Sequence, residues 1–269
     1  MTRGTQFDES VFHPQRVLAV RHTWADHPLL QLDALKRLSE RLTTVERGEQ
    51  ALALHDIQGD AEYRGLVDEV LDEVGPRIAK KDPGMHGRAA NIVVAAPNAA
   101  LPYGLEHEHS FVLQCQGKAK VCVWEPLDRE VVTERCLEVF HAKGSRDLVS
   151  YRNDLLPRAH ALTLEPGTGV YRPSTAPHLV KNGDAVSITL SVTYYSRAIR
   201  ETKLLYRSNH TLRELGLAPH PIGEPGLRGR LRDQAKLAAA LAQQQAKLAR
   251  KRQLLNLTSP KYATAGAID

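Results

Sequence analysis

Gly167-Thr168-Gly169-Val170-Tyr171-Arg172-Pro173-Ser174-Thr175-Ala176-Pro177-His178-Leu179-Val180-Lys181-Asn182 is the stretch on which the fold turns. It reads as two short strands around a loop. The first ends at Pro173, which cannot donate to a strand ladder. The second opens on His178 and closes at an Asn182-Gly183 turn, which starts the next strand. Such a loop delivers one imidazole to a strand end. The same texture extends outward in both directions. Downstream lies AVSITLSVTYYS (185–196); upstream lie ALTLEP (161–166), KAKVCVWEP (118–126), HSFVLQCQ (109–116) and NIVVAAP (91–97). These runs are short, β-branched or aromatic, and separated by Gly, Pro and Asn-Gly, the pattern of a β-sandwich or small barrel. The runs on either side of Gly117 are predicted to form a hairpin.

Outside this region the period changes. LDALKRLSERL (32–42) and AEYRGLVDEVLDEVGPRI (61–78) carry apolar residues at helical spacing. In the second, Tyr63, Leu66, Val67, Val70, Leu71 and Val74 form one stripe, and Gly75-Pro76 is expected to punctuate its end. Residues 230–255 are dominated by the strong helix formers Ala, Leu, Gln, Lys and Arg. Leu241, Leu248 and Leu255 fall seven apart, a stripe able to pack on the barrel or against a second copy. The expected organisation is a helical flank over 1–90, a barrel core over 91–210 and a basic helical extension over 211–269.

The chain has 269 residues, 42% hydrophobic and 25% charged, enough apolar material for a sizeable core and unlike a disordered composition. No run of 18 apolar residues occurs, and the N-terminus carries no apolar signal core. Cys115, Cys122 and Cys136 are three, without metal-type spacing, and read as reduced and structural. The expected location is the cytoplasm. The net charge of +5 is unevenly placed: residues 228–269 hold nine Lys/Arg and two Asp/Glu, so the rest is slightly acidic. That tail reads first as a solvated helix; a nucleic-acid contact ranks below it. There is no Gly-rich phosphate loop, nucleophile elbow or Cys-x-x-Cys.

The 167–182 stretch resembles the second cupin motif, with Thr175 where glycine is usual. Upstream, Leu101-Pro-Tyr-Gly104-Leu-Glu106-His-Glu-His-Ser110-Phe111-Val-Leu-Gln114-Cys-Gln-Gly117-Lys-Ala-Lys120 resembles the metal-binding segment of JmjC-type iron(II)/2-oxoglutarate hydroxylases and their bacterial cupin-like relatives. The likeness covers roughly 85–210. It implies a mainly β fold, a double-stranded β-helix (cupin or jelly-roll barrel) with N-terminal helices and a C-terminal helix. It also implies side-chain hydroxylation with Fe(II) and 2-oxoglutarate.

The resemblance assigns Glu106 and His178 as metal ligands, and Lys120, Ser110 and Tyr103 to the cosubstrate pocket. Gly104, however, stands where the first histidine belongs, and Ser110 where an asparagine is usual. A facial triad needs two imidazoles and one carboxylate, and glycine has no donor atom. Side chains alternate along a strand, so 104, 106 and 108 share one face and 107 and 109 the other. A bulge after the Pro102 turn would shift that register and make His107 or His109 a third ligand. Lys120 is expected to pair with a distal carboxylate, or else to be a hairpin lysine in water. Arg172 is open to two readings, a bidentate carboxylate clamp or a rim ion pair. The implied protein is a non-standard or inactive oxygenase. The alternatives are a non-catalytic module for a peptide, amino acid or small acid, and a DNA-associated regulator. A homodimer through the C-terminal helix is a further expectation, and no membrane contact is expected.

Overall fold

The computed structural model describes residues 3–258, with side chains as far as 251. Its strands are β1 (Thr5–Gln6), β2 (Leu18–His22), β3 (Val45–Arg47), β4 (Ala51–Leu54), β5 (His86–Ala95), β6 (Ala100–Gly104), β7 (His109–Gln116), β8 (Ala119–Val123), β9 (His160–Leu164), β10 (Thr168–Arg172), β11 (His178–Asn182) and β12 (Ser187–Tyr195). Helices are α1 (Leu32–Arg41), α2 (Ala61–Ala79), α3 (Glu134–Lys143), α4 (Arg197–Glu214) and α5 (Leu227–Thr258). An eight-stranded sheet runs β1-β2-β10-β7-β12-β5-β4-β3 and a four-stranded sheet β6-β11-β8-β9. Every pairing is antiparallel. From β6 to β12 the chain moves between the two sheets, as in a jelly roll.

Alternation on the large sheet separates two chemistries. On β7, Phe111, Leu113 and Cys115 join a core cluster that also holds Leu35, Leu38, Val70 and Val74 of α1 and α2. On β12, Ile188, Leu190, Val192 and Tyr194 do the same. The opposite faces of these strands, with Val112 and Gln114 on β7 and Thr189, Ser191 and Thr193 on β12, line a cavity. A smaller cluster of Val112, Val121, Val123, Leu164, Val170 and Ala176 packs between the sheets. Apolar burial on the helix-covered face supplies most of the driving force, which leaves the cavity face free to carry polar groups.

Three local expectations are corrected. Gly117 does not close a hairpin: β7 and β8 lie in different sheets, and Gly117 turns the corner between them. Its φ is +68° and an added Cβ would lie 2.5 Å from the Val186 carbonyl oxygen, so only glycine fits. Helix α2 passes through Pro76 and ends at Ala79. The buried Ile78 anchors its last turn, and packing outweighs the one backbone bond a proline removes. The first 90 residues hold strands as well as helices, because β1, β2, β3 and β4 extend the large sheet.

The described residues divide into two compact units, one up to Thr202 and one from Lys203 onward. Within the second, Asn209 and Lys236 both donate to the His220 carbonyl, at 3.1 and 3.2 Å. Of the leucine stripe on α5, Leu248 is exposed and Leu241 half-buried, while the side chain of Leu255 lies outside the described residues. Among the described residues no helix is long and apolar enough to cross a membrane.

Candidate functional site

Between the sheets lies a cavity of about 310 Å³. Valine, leucine and alanine side chains make much of its wall. The polar lining includes Glu106, Glu108, Arg172, His178, Thr189 and Thr193. Two rows of paired residues define one end of it. In the small sheet, His178 of β11 lies between Gly104 of β6 and Val123 of β8. In the large sheet, Ser110 of β7 lies between Arg172 of β10 and Thr193 of β12.

Gly104 is thus the direct cross-strand neighbour of His178, and a Cβ added there would meet no heavy atom within 4 Å. The His178 Nδ1 is 3.3 Å from the Ala176 carbonyl, so the ring donates from Nδ1 and keeps Nε2 as its acceptor. Burial, with the charge of Arg172 adding to it, holds the His178 pKa well below the ordinary histidine value. The imidazole is therefore neutral. Glu106 follows in the loop between β6 and β7 and accepts from Arg146 Nη2 at 2.8 Å. Glu108 accepts from the Tyr195 hydroxyl at 2.5 Å.

Neither neighbouring histidine faces this group. His109 is buried among the helix-side aromatics. Its Nδ1 accepts from the Ser174 amide at 3.0 Å and lies 2.9 Å from the Tyr171 hydroxyl, while Nε2 lies 3.3 Å from buried Asp82. His107 stacks on Phe140 of α3, ring centroids 3.9 Å apart. Two bonds clamp the loop in this register, Ser174 Oγ to the His107 carbonyl at 2.6 Å and the Thr175 amide to the Glu106 carbonyl at 2.8 Å. Among the described residues no group of three His, Cys, Asp or Glu is disposed to hold a metal ion.

The other expected pocket residues divide. Ser110 is buried and its Oγ accepts from Arg172 Nε at 3.0 Å. Tyr103 turns away and packs edge-on to Trp124 at 5.5 Å, where burial pushes its hydroxyl pKa up to about 12. Lys120 is exposed on β8, whose Ala119 and Val121 line the cavity instead. The pairing of β8 with β9 and β11 sets that parity, so the expectation of a lysine inside the barrel is corrected to one outside it. Arg172 is the cation that does line the cavity. Strand alternation on β10 signals it, because Tyr171 joins the helix-side core and Val170 the inter-sheet cluster.

No protein-family profile matches the chain, and neither does any curated sequence. Solved structures do. YcfD from Escherichia coli is 14% identical, with 90% of this chain and 69% of that one covered and a TM-score of 0.52. The same protein, described as a ribosomal oxygenase and solved with cobalt and 2-oxoglutarate, matches at 15% identity over 90% and 67% of the chains with a TM-score of 0.50. At this identity the likeness establishes the fold alone: a mainly β cupin or jelly-roll barrel with flanking helices.

Proposed function

We propose, with the JmjC-like cupin fold as premise, that this chain is a relative of the iron(II)/2-oxoglutarate hydroxylases whose standard metal centre is lost, and that its barrel serves to bind a small acid or side chain. One observation carries the reading. Gly104 is paired with His178, in the position from which a second imidazole would complete a facial triad. The residues present do not fit that triad. Glu106 and His178 are the two matching donors. Glu106 is engaged by Arg146, and the clamp on residues 106–109 keeps His107 and His109 elsewhere. Two protein ligands hold a divalent ion far less well than three, and the missing one is a nitrogen that suits iron.

What remains is a walled cavity with a few convergent polar groups, the ordinary form of a small-molecule site. Its volume is near the lower end of such sites, which suits a compact ligand or one inserted side chain. The test is direct. Protein purified with iron supplied is expected to hold well under one equivalent and to make no succinate from 2-oxoglutarate. Stoichiometric iron with sustained succinate formation overturns the reading.

A further inference from the structure

We propose that Arg172 is the resident cation of this barrel and that it holds the carboxylate of a small organic acid inside the cavity. The proposal rests on the reading that the metal centre is lost, and it names the chemistry that takes its place.

The geometry begins with the strand. Arg172 is the last residue of β10, paired with Ser110 and directed to the cavity face. Ser110 Oγ takes the Nε proton at 3.0 Å, which fixes the plane of the guanidinium. A guanidinium carries five N–H donors, and the remaining four sit on the two Nη atoms. No carboxylate lies within ion-pair distance of the Arg172 guanidinium among the described residues, and no other side-chain hydrogen bond engages it there. The two acids on the same side of the cavity are committed elsewhere, Glu106 to Arg146 and Glu108 to Tyr195. They soften the charge without pairing with it. Burial accordingly drives the Arg172 pKa down to about 10, with Glu106 and Glu108 opposing the change. A partly desolvated charge without a partner is costly, and a bidentate carboxylate is the partner that matches the fork.

The surroundings select the rest of the ligand. His178 lines the same cavity, and its Nε2 is not used in the bond to Ala176. Ser191 of β12 places a hydroxyl on one wall, beside Thr189 and Thr193, whose hydroxyls donate to Gln114 Oε1 and the Ala89 carbonyl; Val121, Leu164 and Val180 form an apolar wall. A carboxylate head with a short, partly apolar body fits a space of about 310 Å³. A divalent cation does not suit the same position, because it would sit beside a fixed positive charge.

The experiment uses the full chain in EDTA, titrated by calorimetry with succinate, 2-oxoglutarate, 4-methyl-2-oxopentanoate and, as a neutral control, succinamide. At least one acid is expected to bind with one-to-one stoichiometry and succinamide not to bind. Arg172→Gln is expected to weaken that acid by at least about tenfold, and Arg172→Lys by less. Circular dichroism checks that each variant folds. Should Arg172→Gln fail to fold, the Nε–H resonance of Arg172 in the wild-type chain gives the same answer, since a bound carboxylate must move it. The proposal falls if no acid saturates, if binding requires added metal, or if it is indifferent to Arg172→Gln. The two readings fail separately. Iron loading with succinate formation overturns the lost centre. A metal-free, inactive protein that binds acid equally well without Arg172 overturns only the assignment to Arg172.

Discussion

A hydrogen at Gly104 and a methyl-bearing side chain at Thr175 are two of the three departures, Ser110 being the other, that set this site apart from the motif it resembles. A Cβ at position 104 meets nothing within 4 Å, and the residue across the strand is His178. Gly104→His therefore places its Cβ without a clash, on the face that His178 shares. Arg172 opposes what that imidazole would bind, so the substitution is expected to act fully only once the charge is gone. Gly104→His with Arg172→Gln should raise cobalt affinity at least about tenfold over wild type, and Gly104→His alone by less. Equilibrium dialysis with cobalt(II) checks it; equal gains would mean that Arg172 does not guard the position. Thr175 has a φ of +62°, in the left-handed region that a β-branched residue enters only at a cost. Its hydroxyl bonds the Ser174 carbonyl at 2.7 Å in partial return. Thr175→Gly is expected to stabilise the protein by about 0.5–1 kcal/mol in urea unfolding. A loss instead would mean that the hydroxyl and methyl contribute more than the strain costs.

At the scale of the element, β7 decides which histidine serves the cavity. Its odd positions face the helices, so His109 enters a buried polar knot with Asp82, Tyr171 and the Ser174 amide. Ser174 N–H must donate to Nδ1, which leaves the proton on Nε2, 3.3 Å from Asp82 Oδ2 and within ion-pair distance of it, without hydrogen-bond geometry. Asp82→Ala removes the nearest acceptor and is expected to cost about 1–3 kcal/mol. Urea denaturation reads the loss, and a change under about 1 kcal/mol would show that the knot is not what fixes β7. This strand also shows what a sequence can and cannot display. The alternation of HSFVLQCQ groups 109 with 111, 113 and 115 before any contact is known. The parity expected across 104–109 is corrected: residues 105–108 are a loop between strands of different sheets, and it is the bonds from Ser174 and Thr175, with the stacking on Phe140, that set where His107 goes. The partner of a strand is a tertiary fact. Gly117 announces a turn, yet nothing local says that the next strand joins the other sheet. The same ignorance misplaces Lys120: a motif match one residue out of phase turns a side chain from the barrel interior to solvent. Arg172 was visible as a residue next to Pro173. Its lack of an ion partner was not, because that depends on Arg146 and Tyr195, distant in sequence, having claimed both acids.

For the whole molecule, stability is tied to acidity through imidazoles that the fold keeps neutral. His22 is buried at the end of β2; its Nδ1 accepts from the Trp24 amide at 3.2 Å and its Nε2 donates to the Thr168 carbonyl at 3.2 Å. His27 uses its Nδ1 in the same way, accepting from the Leu29 amide at 3.2 Å where a short helix begins. A proton on Nδ1 would destroy either acceptor. Burial, the leading cause in both, holds the two pKa values below the ordinary histidine value. The unfolded chain has no such restraint and takes protons with a pKa of about 6.5. Below about pH 7 the unfolded state therefore binds more protons than the folded one, and stability falls with pH until the depressed folded values are reached. Asp128, held low by Arg158, enters only below about pH 4, so it does not confuse this window. The midpoint of urea unfolding is expected to drop between pH 7.5 and pH 5.5. His22→Gln, though less stable at pH 7.5, should show a shallower drop, because one of the groups that distinguishes the two states is gone. A wild-type midpoint that stays level across that interval would mean that the core admits the proton.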